Sequence, residues 1–267
     1  MIGRRVSTKM WLGLGVFTMA GAPAFAQPAP QTIPSVPVTQ GGEGGEAGGE
    51  GGIDPARAEH DPVEFLIAMD VMAAHYVAGR DIYRLGEAQA AGEMFAHPIS
   101  EVYAELEEVL ARLGVAEFRE AMERASALAL DRAPLAEVEQ AAAAVLAALL
   151  AAEAHAPGGG ATPKAQAAVV ADMAGRAAQQ YAAALDAPGQ LEPYLDGYGL
   201  YRAAADRAAR AGAQWRAAQS AEVSAALDAL LAALAAAYPG PARPVSMAGA
   251  GPVLAAAKRL SQAVDRP

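Results

Sequence analysis

Between Ala74 and Glu108 the chain gathers two of its four histidines, His75 and His97, with Tyr76, Tyr83, Tyr103 and a row of glutamates. Alanine dominates elsewhere, and an alanine side chain fills a helix without offering a donor or an acceptor. Chemistry is therefore expected in this stretch. His97 and Glu101 are four residues apart, a spacing that puts both on one helical face, and Glu105 and Glu108 extend that row. Imidazole combined with carboxylates suits a borderline or hard cation such as iron or zinc. Met69, Met72 and Met94 add copper to the choices, because thioether and imidazole together favour it.

Axial rise sorts the candidates. With a turn at Gly79, His75 lies ~6 Å below the turn and a descending helix carries His97 ~15 Å below it, so ~9 Å separates them. The next helix, climbing back, returns to the level of His75 near Tyr103 to Glu105. The expected metal set is thus His75, Glu101 and Glu105, with His97 and Tyr103 at its margin. Competing readings stand beside each residue. The Glu101–Glu108 row lies about 120° from an apolar stripe, where solvent normally lies. His75 can serve as an edge histidine bonded to one glutamate, and the methionines can be core gap-fillers.

The elements that would position these groups are helical throughout. Asp61-Pro62-Val63-Glu64 combines an N-cap acid, a proline at the first helical position and a glutamate at the third. Phe65, Met69, Met72 and Tyr76 follow at three- and four-residue spacing, giving a first helix that ends near Gly79. A second helix, about 87–96, stops at His97-Pro98. That proline opens a third helix with Ile99, Val102, Leu106, Leu110 and Leu113 as its core face, stopped by Gly114. Helices over about 116–130 and 134–155 complete an N-terminal bundle, residues 59–155. APGGGATP at 156–163 is the internal boundary, and a C-terminal bundle occupies 164–267. There Tyr194, Tyr198, Tyr201, Ala205, Ala208, Gly212 and Trp215 share one stripe, and the short residues on it allow a neighbouring helix to approach. No segment alternates as a strand would. The fold class expected is all-α, two antiparallel helical bundles packed together without a β-sheet.

The remainder of the chain bears on address. Arg4, Arg5 and Lys9, the apolar run Met10–Gly21 and Ala24-Phe25-Ala26 read as a signal peptide over residues 1–26. Residues 27–58, rich in proline, glycine and spaced glutamates, read as a disordered linker. About 240 residues remain after cleavage, enough for one large domain or two small ones. The chain contains no cysteine, which excludes disulfides, thiolate metal sites and a cysteine nucleophile. Net charge is −10, and cleavage removes three further basic residues. Such a surface repels phosphate backbones and anionic headgroups, so neither nucleic acid nor a membrane is an expected partner. No H-E-x-x-H, G-x-S-x-G or glycine-rich phosphate loop occurs, so no catalytic residues are expected.

Ala74-His75-Tyr76-Val77-Ala78-Gly79, followed by His97-Pro98-Ile99-Ser100-Glu101-Val102-Tyr103-Ala104-Glu105-Leu106-Glu107, resembles a pattern shared by alanine-rich periplasmic helical proteins of proteobacteria. The likeness covers about residues 61–118, with a fainter echo at 194–204. Those proteins look distantly like the imelysin group, two-lobed helical bundles that include a periplasmic component of iron uptake. The G-x-H-x-x-E motif of that group is absent here. The resemblance implies a periplasmic helical bundle and by itself no activity; the histidine–carboxylate set adds the expectation that it binds, without catalysis, a metal cation (iron, zinc or copper) or a component of a metal-uptake system. The alternative is an envelope adaptor that binds a protein or peptide partner and no metal.

Overall fold

A computed structural model of the protein describes residues 52–264. The signal peptide expected over 1–26 and most of the expected linker lie outside the described residues. Among the described residues the chain is all-α, with no strand. The helices are α1 (Pro55–Ala58), α2 (Pro62–Tyr83), α3 (Ala88–Pro98), α4 (Ala104–Arg112), α5 (Arg119–Leu130), α6 (Leu135–Ala152), α7 (Pro163–Asp186), α8 (Glu192–Ala217), α9 (Ala221–Ala237) and α10 (Gly251–Val264).

Order begins earlier than the linker boundary at residue 58 implies. Ile53 and Ala58 are buried. The Asp54 carboxylate caps α1 by accepting from the backbone N–H groups of Ala56 and Arg57. The turn is pinned to the bundle by Arg57 against Glu64 and by a two-pronged Arg112–Glu59 pair. An apolar anchor and charged clamps thus hold a segment whose composition alone reads as linker.

At its centre α2 is buried almost all round, with Glu64, Asp70 and Asp81 buried among its apolar residues. The helices before and after residues 156–163 pack on it from both sides: α3 and α6 from the N-terminal half, α7 and α8 from the C-terminal half. The two halves are packed together through one continuous core. Met69, Met72 and Met94 are buried in it, in keeping with the gap-filler reading. In α6, Val138, Ala142, Val145 and Leu149 face the same core. The segment Leu135–His155 is long and apolar enough to cross a membrane, by length and composition only.

Two corrections to the anticipated helices matter for the site. Gly79 does not end the first helix, which continues to Tyr83. It is instead a contact point: a Cβ there would stand 2.5 Å from Cε1 of Phe95, so the missing side chain lets α3 lie close to α2. Pro98 is the last residue of α3 but does not break the helical path. The backbone runs from α3 through a π-turn, Ile99–Tyr103, into α4. Proline offers no N–H, and the ladder rearranges around it. Ile99 N–H turns to the carbonyls of Ala96 and His97, while the Phe95 carbonyl accepts the Tyr76 hydroxyl at 3.1 Å. Ala104 N–H then bonds Ile99 O in the i→i+5 pattern of a π-turn.

Candidate metal centre

These corrections bring the two histidines level. Tyr83 is eight residues beyond His75 and Ala88 nine before His97, so both lie ~12–14 Å from the α2–α3 turn. Their rings meet edge to face with centroids 6.2 Å apart. Glu101, four residues beyond His97, joins them. One ligand atom from each of His75, His97 and Glu101 lies within 4.8 Å of the others. The ~9 Å separation derived from a turn at Gly79 is therefore wrong, and His97 belongs at the centre rather than the margin.

Tyr103 and Glu105 do not join the cluster. The π-turn takes about one more residue than an α-turn, so the face carrying His97 and Glu101 continues at Leu106, which is buried. Glu105 is rotated to solvent beside Glu59, Glu108 and Arg112. Tyr103 is buried on another side, edge-on to Phe118 at 4.8 Å and beneath the Arg119 guanidinium.

Two carboxylates from the other half of the chain face the histidines. Nε2 of His75 faces Oδ1 of Asp196 on α8 at 3.7 Å, and Nδ1 of His97 faces Oε1 of Glu192, one turn earlier, at 3.5 Å. Helix α8 reaches this position because Gly199 lies against the backbone carbonyl of Ala74, a contact no Cβ could share. Asp196 is about one turn from Gly199 and His75 is next to Ala74, so this crossing sets the spacing of imidazole and carboxylate.

The protonation state of His75 follows from its surroundings. Nδ1 lies 2.8 Å from the Val71 carbonyl, one turn back, and can bond it only as a donor. Burial, with a smaller contribution from His97, lowers the imidazole to about 4 despite that bond. At neutral pH His75 is uncharged, its one proton is on Nδ1, and Nε2 presents a lone pair to the Asp196 carboxylate. Two electron-pair donors held at 3.7 Å, beyond hydrogen-bond length, are bridged naturally by a cation. Tetrahedral zinc with nitrogen and oxygen ligands near 2.0–2.1 Å sets neighbouring donors about 3.4 Å apart. A small side-chain rotation would therefore bring this pair to ligand spacing. The Val71 carbonyl supplies the outer hydrogen bond that metal-binding histidines use to fix ring orientation.

A cleft of about 120 Å³ opens beside the cluster, lined by His75, Glu101 and Asp196 and, from α7, by Arg176, Gln179 and Gln180. Asp196, Glu192 and the α7 residues were missed in the sequence, where the start of α8 reads as a packing stripe. The signal present there is a carboxylate pair four apart, Glu192 and Asp196, immediately before two glycines in Gly197-Tyr198-Gly199. No protein-family model, curated protein or solved structure matches the chain.

Proposed function

We propose that this chain is an exported helical-bundle protein that binds one transition-metal cation between α2, α3 and α8, without catalysis, in the service of metal uptake. The observation that supports it is the convergence of His75, His97 and Glu101, one ligand atom from each within 4.8 Å of the others, with the Asp196 carboxylate 3.7 Å from the His75 Nε2 lone pair. Two imidazoles and two carboxylates suit zinc or iron and fall within reach of cupric ion. They are too rich in nitrogen for calcium or magnesium, which take oxygen donors. The methionines, buried in the core, bring no thioether to the cleft, which removes the argument for cuprous ion. The strongly negative net charge raises the local concentration of cations around the chain.

Titration calorimetry with zinc, ferrous and cupric ions tests the reading. One ion per chain is expected, with a dissociation constant in the micromolar range or below. His75→Ala and Asp196→Asn should each weaken binding by about 10- to 100-fold, the scale on which ligand and supporting groups act. Glu105→Ala and Tyr103→Phe should leave it unchanged. Binding no tighter than millimolar, or equal in the His75→Ala chain, would move the assignment to an envelope adaptor for a protein or peptide.

A further inference from the structure

The three donors that converge, His75, His97 and Glu101, leave a hard or borderline cation incompletely coordinated. Iron in two-histidine carboxylate sites keeps open positions, and a six-coordinate ion held by His75, His97, Glu101 and Asp196 would keep two. What lies across the cleft from those positions is unlike a water-filled mouth. Helix α7 contributes a guanidinium and two side-chain amides, from Arg176, Gln179 and Gln180. The Arg176 Nε donates to Asp172 Oδ2 at 2.6 Å, which braces the side chain along its own helix. Guanidinium has only donors, arranged as a planar fork that matches a carboxylate. It cannot ligate a cation and repels one.

One class of ligand satisfies both walls. A small oxyanion of the carboxylate type can place one oxygen on the metal and turn another toward Arg176 and the glutamine amides. The volume also fits: at about 30 Å³ per water, the cleft holds about four water-sized groups, room for carbonate or a short dicarboxylate beside the ion. Glu101, Asp196 and Arg176 already make polar contacts of their own, so ion and anion would exchange partners with them rather than enter an unoccupied polar site.

We propose that the cleft between α2, α3, α7 and α8 binds its metal together with a small carboxylate-type oxyanion, held between the ion and Arg176. The proposal rests on the metal reading above and narrows it to a chelate or ternary complex as the cargo. The test is a cobalt(II) titration of the purified chain at pH 7, followed by visible absorption and calorimetry. It is run in carbonate-free, carboxylate-free buffer, then with bicarbonate, then with malonate. At least a tenfold tightening by one of the anions is expected, with a change in the cobalt spectrum, and the responding anion identifies the source. In Arg176→Gln the tightening should vanish while cobalt alone binds no more weakly than before, and Gln179→Met should reduce it in part. Equal affinity in all three buffers, or equal tightening in folded Arg176→Gln, overturns the oxyanion and leaves the metal site standing. Should Arg176→Gln fail to fold, the wild-type anion response together with Gln179→Met decides. No cobalt binding in any buffer removes the metal reading and this inference together.

Discussion

Under the proposed metal reading, His75 would be both a ligand and a pH-dependent element of stability. Its pKa is lowered from about 6.5 to about 4 by burial. In the metal-free chain the unfolded state takes up a proton between those values and the folded state does not. Stability contributed by the neutral ring is therefore complete above about pH 6.5 and declines as pH falls toward 4, by up to about 3 kcal/mol. Urea unfolding of the metal-free chain from pH 7.5 to 4.0 should show this decline, and His75→Gln should flatten most of it. The importance of position 75 is legible from residue type and spacing, because histidine is rare in an alanine-rich chain. Its partners are legible only in part. Glu101 follows from the four-residue spacing, whereas Asp196 is 121 positions away, and helical periodicity carries no information about which distant faces meet.

The glycines and one proline determine where those faces meet. Gly79 and Pro98 each read locally as a helix boundary, and nothing local marks Gly199. In the folded chain Gly79 admits Phe95, Gly199 admits the Ala74 carbonyl, and Pro98 starts a π-turn within a continuous helix. A breaker signal states that the regular ladder is altered; whether the helix stops or bulges depends on what packs around it. Gly199→Ala gains helix propensity of up to about 1 kcal/mol but drives a methyl into backbone that cannot rotate away. A net loss of about 1–3 kcal/mol is expected, measured by thermal or urea unfolding. Because the same crossing spaces Asp196 from His75, metal affinity should fall with it. Unchanged stability with unchanged metal binding would show that the α2–α8 crossing does not control the site.

At the scale of the described chain, the all-α class and the packing together of two bundles were readable from periodicity and from the lack of alternation, while the contacts that join the halves were not. Their tightest polar link is a buried node. Arg207 of α8, 1% exposed, donates to both oxygens of Asp70 at 2.5 and 2.6 Å, to Glu153 at 2.9 Å and to Gln166 at 2.7 Å. One guanidinium thus ties α2, α7, α8 and the end of α6. In the sequence Arg207 is one arginine of an alanine-rich helix, and nothing local marks it as internal. Arg207→Met removes the cation and leaves a buried carboxylate, so a loss of about 3–5 kcal/mol is expected, read as a lowered urea midpoint. The histidine–carboxylate contacts are a second link across the halves, since His75 faces Asp196 and His97 faces Glu192. A ligand that binds only the folded state at 100 times its dissociation constant adds about 2.7 kcal/mol, so the chain should melt higher with zinc, and Asp196→Asn should lose most of that gain.

X-ray absorption at the zinc edge of the stoichiometrically loaded chain addresses the central assignment most directly, because it counts the ligands. The expected result is one zinc per chain with two imidazoles and oxygen donors near 2.0–2.1 Å, falling to one imidazole in His97→Ala. Substoichiometric zinc, or a shell of oxygen atoms with no imidazole scattering, would contradict it.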